Sequence, residues 1–243
     1  MIAVAYALPV IPGREAEVTA FAREFGSRAS DYEYRRSLGI RREAVFRQPT
    51  LVGDLLITYR EFTGESATRQ KPGDVVTGWH GAKLTALPGV DPDTATPRVE
   101  MLIRQRPARP AQIYAAALPL VPTKTARLHE FASELNGIHA DEFAESLVRL
   151  SFGLTVFIQY IPRSDLVILV LEGSEPASAL VRLAKSAHPF DRWHAQQIAD
   201  QTGLDLSALP ASGNELVWSS DEVAASPAPV GSEHHSQEVT GER

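Results

Sequence analysis

The sequence predicts an α+β protein in which one βαββαβ unit is written twice, and three observations carry that expectation. A rare dipeptide recurs, Trp79-His80 and Trp193-His194, each followed at the same spacing by a Gly-hydrophobic-Asp stop, Gly89-Val90-Asp91 and Gly203-Leu204-Asp205. The opening Ala7-Leu8-Pro9-Val10-Ile11-Pro12 returns as Ala117-Leu118-Pro119-Leu120-Val121-Pro122. The stripe Val18, Phe21, Ala22, Phe25 returns as Leu128, Phe131, Ala132, Leu135, at the spacing that lines one helix face with apolar side chains. Matched recurrences of this kind mark an internal repeat.

Each element follows in order. Residues 3–8 and 113–118 are short, rich in Ala and apolar side chains and stopped by proline, as for strands that run into helix-starting turns. The two apolar stripes predict the first helices; Gly26 and Gly137 weaken them, and the pattern resumes through 31–38 and 141–150. There Asp31 and Arg35, and Glu145 and Arg149, sit one turn apart, which predicts exposed helix pairs worth about 0.2–0.5 kcal/mol. Leu38-Gly39-Ile40 and Phe152-Gly153-Leu154 open the second strands. Residues 44–48 then pair with 55–59, and 155–160 with 166–171, on β-branched and aromatic content. Each hairpin ends in an acid, Glu61 or Glu172, expected to be exposed at a strand end.

The second helix runs over 175–202 in the second half, interrupted at Pro189. In the first half Lys71-Pro72-Gly73-Asp74 leaves only 75–87 helical. Last strands at 99–105 and 214–219 close the units. The resulting organisation is a first repeat over 1–105, a stiff Arg/Pro linker over 106–110, a second repeat over 111–219 and a disordered Ser/Ala/Pro/Glu tail over 220–243.

Composition narrows the function. The 243 residues are 44% hydrophobic and 22% charged with no cysteine, which excludes disulfides, thiolate metal sites and a cysteine nucleophile and makes a cytoplasmic protein the expectation. A net charge of -6 argues against a nucleic-acid partner. No apolar run approaches the length that spans a bilayer, and no basic region precedes the first apolar stretch, so neither a membrane partner nor a signal peptide is expected. His234 and His235 lie in the tail, a poor frame for a metal. Phosphate-binding glycine loops, dinucleotide fingerprints, zinc-protease helices and nucleophile elbows are absent from the sequence.

Strand, helix, strand, strand, helix, strand is the ferredoxin-like order, with both helices on one sheet face and the other face open to a partner. With its Leu-Gly-Ile entry, Gly53-Asp54-Leu55, and Phe190-Asp191-Arg192-Trp193 ahead of Gly203-Leu204-Asp205, the chain resembles the dimeric α+β-barrel superfamily in a tandem, single-chain form, over roughly residues 1 to 219. The resemblance implies two ferredoxin-like βαββαβ repeats packed sheet to sheet as an intramolecular α+β barrel. It also implies a small-molecule enzyme of the cofactor-free monooxygenase, isomerase or cyclase type working in an apolar cavity. A non-catalytic ligand-binding or structural barrel is the alternative, and haem held by an axial histidine a third; otherwise no cofactor is expected. The sequence is compatible with a further homodimer.

Four residues are the candidates for acid/base work. His80 and His194 fall on or beside the apolar stripes of the second helices, where a desolvated imidazole with a reference pKa near 6.5 suits proton transfer; each could equally bond a carbonyl beside a core tryptophan. Tyr6 and Tyr114 share strand parity and could bind or protonate a carbonyl oxygen, or simply pack. The second strands differ: Arg41, Arg42, Glu43 and Arg47 stand where the second half has Thr155, Val156, Phe157, Ile158 and Gln159. Facing a cavity, those arginines would favour an anion; facing water, they would shield a sheet surface.

Overall fold

A computed structural model describes residues 2–27, 33, 35–63, 98–107, 112–161, 164–209 and 213–220. The first half contributes β1 (Ile2–Pro9), α1 (Glu15–Ser27), β2 (Ile40–Gln48), β3 (Leu55–Phe62) and β4 (Arg98–Gln105). The second contributes β5 (Gln112–Pro119), α2 (Thr125–Asn136), α3 (Ala140–Arg149), β6 (Phe152–Tyr160), β7 (Leu166–Gly173), α4 (Ala179–Lys185), α5 (Pro189–Thr202) and β8 (Glu215–Ser219). Gly137 ends α2, and Pro189 starts α5 at a position where the missing N–H costs nothing. Gly203, at φ 69°, ends α5 in the left-handed region that glycine adopts without strain.

The fold is mixed α+β, with two four-stranded antiparallel sheets. Sheet A has the order β1-β3-β2-β8 and sheet B the order β4-β6-β7-β5. The last strand of each half does not close its own unit: β8 pairs with β2, and β4 pairs with β6. Each exchanged strand covers the β2 or β6 edge and becomes the sheet margin there, and the opposite margins, β1 and β5, are capped by side chains. Gln159 bonds both backbone groups of Ala7, at 2.7 and 2.8 Å, and Gln48 bonds both backbone groups of Ala117, at 2.8 and 2.7 Å. An alanine at each capped position leaves room for the incoming amide.

Successive strand residues face opposite ways, so the register sorts every position. The sides on which the sheets meet carry Phe46 and Ile57 in sheet A, and Phe157, Ile168 and Val170 in sheet B, all buried in one core. Tyr59 meets Phe157 edge-on across the gap at 6.4 Å. The outer sides face helices, and over sheet B a second core joins Leu154, Val156, Leu169 and Leu171 to α2, α3, α4 and α5.

Candidate functional site

On the helix side of sheet A the strands carry a row of polar residues through what is otherwise core. A bulge between Ile40 and Arg42 passes over Arg41, which stays exposed, and sends Arg42 and Glu43 to opposite faces. Glu43 then lies beside Arg60 in register, and the next row is Tyr6, Thr58, Val45 and Trp218. Arg60 Nε donates to Glu43 Oε1 at 2.6 Å, with both side chains almost wholly buried. Arg60 stands 5.8 Å from the Tyr6 ring, and Arg35 covers Trp218 at 4.5 Å with its Nε 3.9 Å from Glu43 Oε2. Tyr6, Arg60, Glu43, Arg35 and Trp218 thus form a chain across the sheet, about 14 Å from margin to margin at ordinary strand spacing. The Thr19 hydroxyl of α1 and the Trp218 indole N–H have no hydrogen-bond partner, and the Tyr6 hydroxyl has no more than a loose contact with Thr58, which stands opposite it in register. Burial raises the Tyr6 pKa above its ordinary value, against the pull of the Arg60 charge, so the phenol is neutral and a donor at pH 7.

Between the two sheets a second ionic cluster closes one end. Glu61 and Glu172, expected at exposed strand ends, are each 1% exposed, because the opposite sheet and the arginines that follow β4 cover them. Arg106 reaches Glu61 Oε1 at 2.9 Å and Glu172 Oε1 at 3.1 Å, Arg42 donates to Glu172, and Tyr59 donates to Glu61 at 2.7 Å. The position that holds Arg42 beside Glu61 holds Gly153 beside Glu172. A Cβ there would lie 2.1 Å from Pro107 Cδ, so the glycine is what lets Arg106 and Pro107 pass over β6. Every carboxylate oxygen named is engaged by an arginine or a tyrosine, which makes this cluster a clasp between sheets.

The predicted residues that are described, Tyr6, Tyr114 and His194, do not form one site. Tyr6 is fully buried on the helix side of sheet A. Tyr114, on the edge strand β5, is half-buried and edge-on to Phe46 at 6.3 Å, with its pKa raised by burial against a backbone bond at Asn214. Register sets Tyr6 opposite Thr58 but Tyr114 opposite Leu171, so the two tyrosines are not counterparts. His194 is 1% exposed in the other helix layer, between Phe143 at 5.4 Å, Phe131 at 5.6 Å and Phe190 at 6.0 Å. Burial pushes its pKa down to about 4, despite the nearby Asp191. Asp191 itself is bonded by Ser146, Arg149 and Ser186. Both sheets separate Tyr6 from His194, so no single small molecule touches both. His80 and the predicted helix 75–87 lie outside the described residues, as does the tail beyond Ser220.

Two helix arginines expected at the surface have partners on other elements. Arg35 is buried over Trp218, and Arg149 donates to the buried Asp191, which holds a guanidinium better than an exposed carboxylate does. Asp31 lies outside the described residues. Arg60, Trp218, Arg106 and the two capping glutamines were not singled out by sequence reasoning. A charged residue in the middle of the third strand, where the second half has Leu171, was the available signal for Arg60.

Among the described residues no group of His, Asp and Glu could hold a metal ion, and no helix is long and apolar enough to cross a membrane. Comparison with protein-family profiles gives no match, and comparison with curated proteins gives none. Among solved structures, the chain is similar to one described as a crystal structure study of an anthrone oxidase-like protein. The identity is 10%, the coverage 84% of this chain and 86% of that one, and the TM-score 0.38.

Proposed function

We propose that the chain is a small-molecule enzyme of the α+β-barrel type, built from two ferredoxin-like copies, whose acid/base site is the helix layer over sheet A. The observation that carries this is Tyr6, wholly buried with no more than a loose contact from its hydroxyl to Thr58, and with its ring 5.8 Å from the buried Arg60 guanidinium. A neutral phenol donates to a carbonyl oxygen, the Glu43 carboxylate takes the proton from the adjacent carbon, and the Arg60 charge stabilises the negative charge that develops on the oxygen. Dry walls of Val4, Leu8, Leu56 and Val18 suit an apolar substrate with one carbonyl group and strengthen both interactions. Isomerase- and cyclase-like chemistry needs that step; a cofactor-free oxygenation would begin from the same enolate with dioxygen as co-substrate.

Deuterium exchange into 2-tetralone, followed by proton NMR, tests the assignment. Tyr6→Phe is expected to slow exchange by about 100-fold while leaving the melting temperature nearly unchanged, since the buried hydroxyl it removes has no more than a loose contact with Thr58. Equal exchange by both proteins would refute the role of Tyr6. A second reading, a ligand-binding or structural barrel without turnover, is favoured by the space between the sheets, filled with Phe46, Ile57, Phe157, Ile168 and Val170. It predicts binding of 2-tetralone, or none, with no catalysed exchange. Haem is the weakest fit: His194 is screened by three phenyl rings, so added haemin is expected to give no bound Soret band.

A further inference from the structure

We propose that the helix layer over sheet B holds a second binding site, for a small neutral ring compound bearing one hydroxyl or carbonyl group, seated against His194 and Gln201. The two residues lie at i and i+7 on α5, on one helix face with Ile198 between them, and both side chains are buried. Neither imidazole nitrogen and neither polar atom of the Gln201 carboxamide has a hydrogen-bond partner. Four polar atoms stranded along one stripe are a standing cost to the fold unless a guest satisfies them.

The surroundings define the guest. Asp191, one turn before His194, is taken up by Ser146, Arg149 and Ser186, so the carboxylate nearest in sequence is engaged elsewhere. Phe131, Phe143 and Phe190 surround the ring at 5.4–6.0 Å, and burial holds His194 neutral at pH 7. A neutral imidazole offers one donor and one acceptor, and a carboxamide offers both kinds. A charged guest would meet three phenyl rings and a neutral imidazole, whereas a phenol-like molecule gains ring contacts and satisfies the stranded nitrogens. The site lies in the other half from Tyr6, with both sheets between, and stands or falls separately from the acid/base assignment.

Titration of the full chain with p-cresol and with its shape-twin p-xylene tests the proposal, read from the imidazole ¹⁵N resonances of His194 and from tryptophan fluorescence. The expected result is that p-cresol moves the His194 resonances and binds about 10-fold more tightly than p-xylene, and that His194→Leu and Gln201→Leu each narrow that gap. Tyr6→Phe is expected to leave p-cresol binding unchanged. Unmoved His194 resonances in p-cresol-saturated buffer would overturn the proposal. Equal binding of p-xylene, or a slowly exchanging water at His194 that p-cresol does not displace, would overturn it as well.

Discussion

The sides on which the two sheets meet match at most register positions, with Arg42 against Gly153 and Tyr59 against Val170 among the exceptions, and the sides that face the helices match at few. On the meeting sides Ala7, Phe46, Gln48, Ile57 and Glu61 occupy the register positions of Ala117, Phe157, Gln159, Ile168 and Glu172. On the helix sides Tyr6, Thr58 and Trp218 stand where sheet B has Ala116, Leu169 and Ile103, and Glu43 and Arg60 stand where it has Leu154 and Leu171. A side chain that must fit the other half tolerates few replacements, because interiors are close-packed and an edge strand needs its cap. A side chain that faces its own helices is free of that reciprocity. The match lies between the sheets and the divergence lies beneath the helices.

The largest expected effect comes from making sheet A resemble sheet B. Glu43→Leu alone strands the buried Arg60 charge and should cost about 3–5 kcal/mol in chemical denaturation. Arg60→Leu alone leaves Glu43 to Arg35 and should cost less, and the double replacement, which reproduces the Leu154 and Leu171 pair, should recover part of the Glu43→Leu loss. A double variant as unstable as Glu43→Leu would show that the two layers are not interchangeable. Acid separates the layers next. His194 has a folded pKa of about 4 against an unfolded value near 6.5, so between those values the unfolded chain binds the extra proton. Stability should be complete above about pH 7 and fall by about 3 kcal/mol as the pH drops to 4, and His194→Leu should abolish that slope.

Smaller effects probe the shared interior. Gly153→Ala forces Pro107 aside and should cost about 1–3 kcal/mol, measured by thermal denaturation, because the position equivalent to Arg42 has no room for a side chain. Gln48→Leu and Gln159→Leu should each cost about 1–2 kcal/mol, since each uncaps one edge strand at an alanine, although Gln48 also accepts from Asn214 and Gln159 is the more buried. The absence of a loss at either would break the correspondence between the two interior faces.

The sequence revealed the strands well because alternation, glycine and proline punctuate them locally. Pro189 and Gly203 bound α5 where their chemistry says they should, and the hairpins lie where β-branched runs predict them. Strand exchange was not legible, since β4 and β8 carry no local mark of which β2-type edge they will join. Nor was the fate of charged strand residues. Arg41, Arg42 and Glu43 are adjacent in sequence, yet a bulge sends one to water, one into the barrel and one beneath the helices. Glu61 and Glu172 looked like surface acids because the arginine that covers both, Arg106, sits in what reads as a spacer.

The most direct test of where function resides compares two buried tyrosines on opposite sides of one sheet, Tyr6 beneath the helices and Tyr59 inside the barrel. With tyrosine ring carbons labelled and Tyr6→Phe used for assignment, addition of 2-tetralone should shift the Tyr6 resonance and leave that of Tyr59 in place. A shift of Tyr59 with Tyr6 unmoved would contradict the account and return the site to the barrel interior.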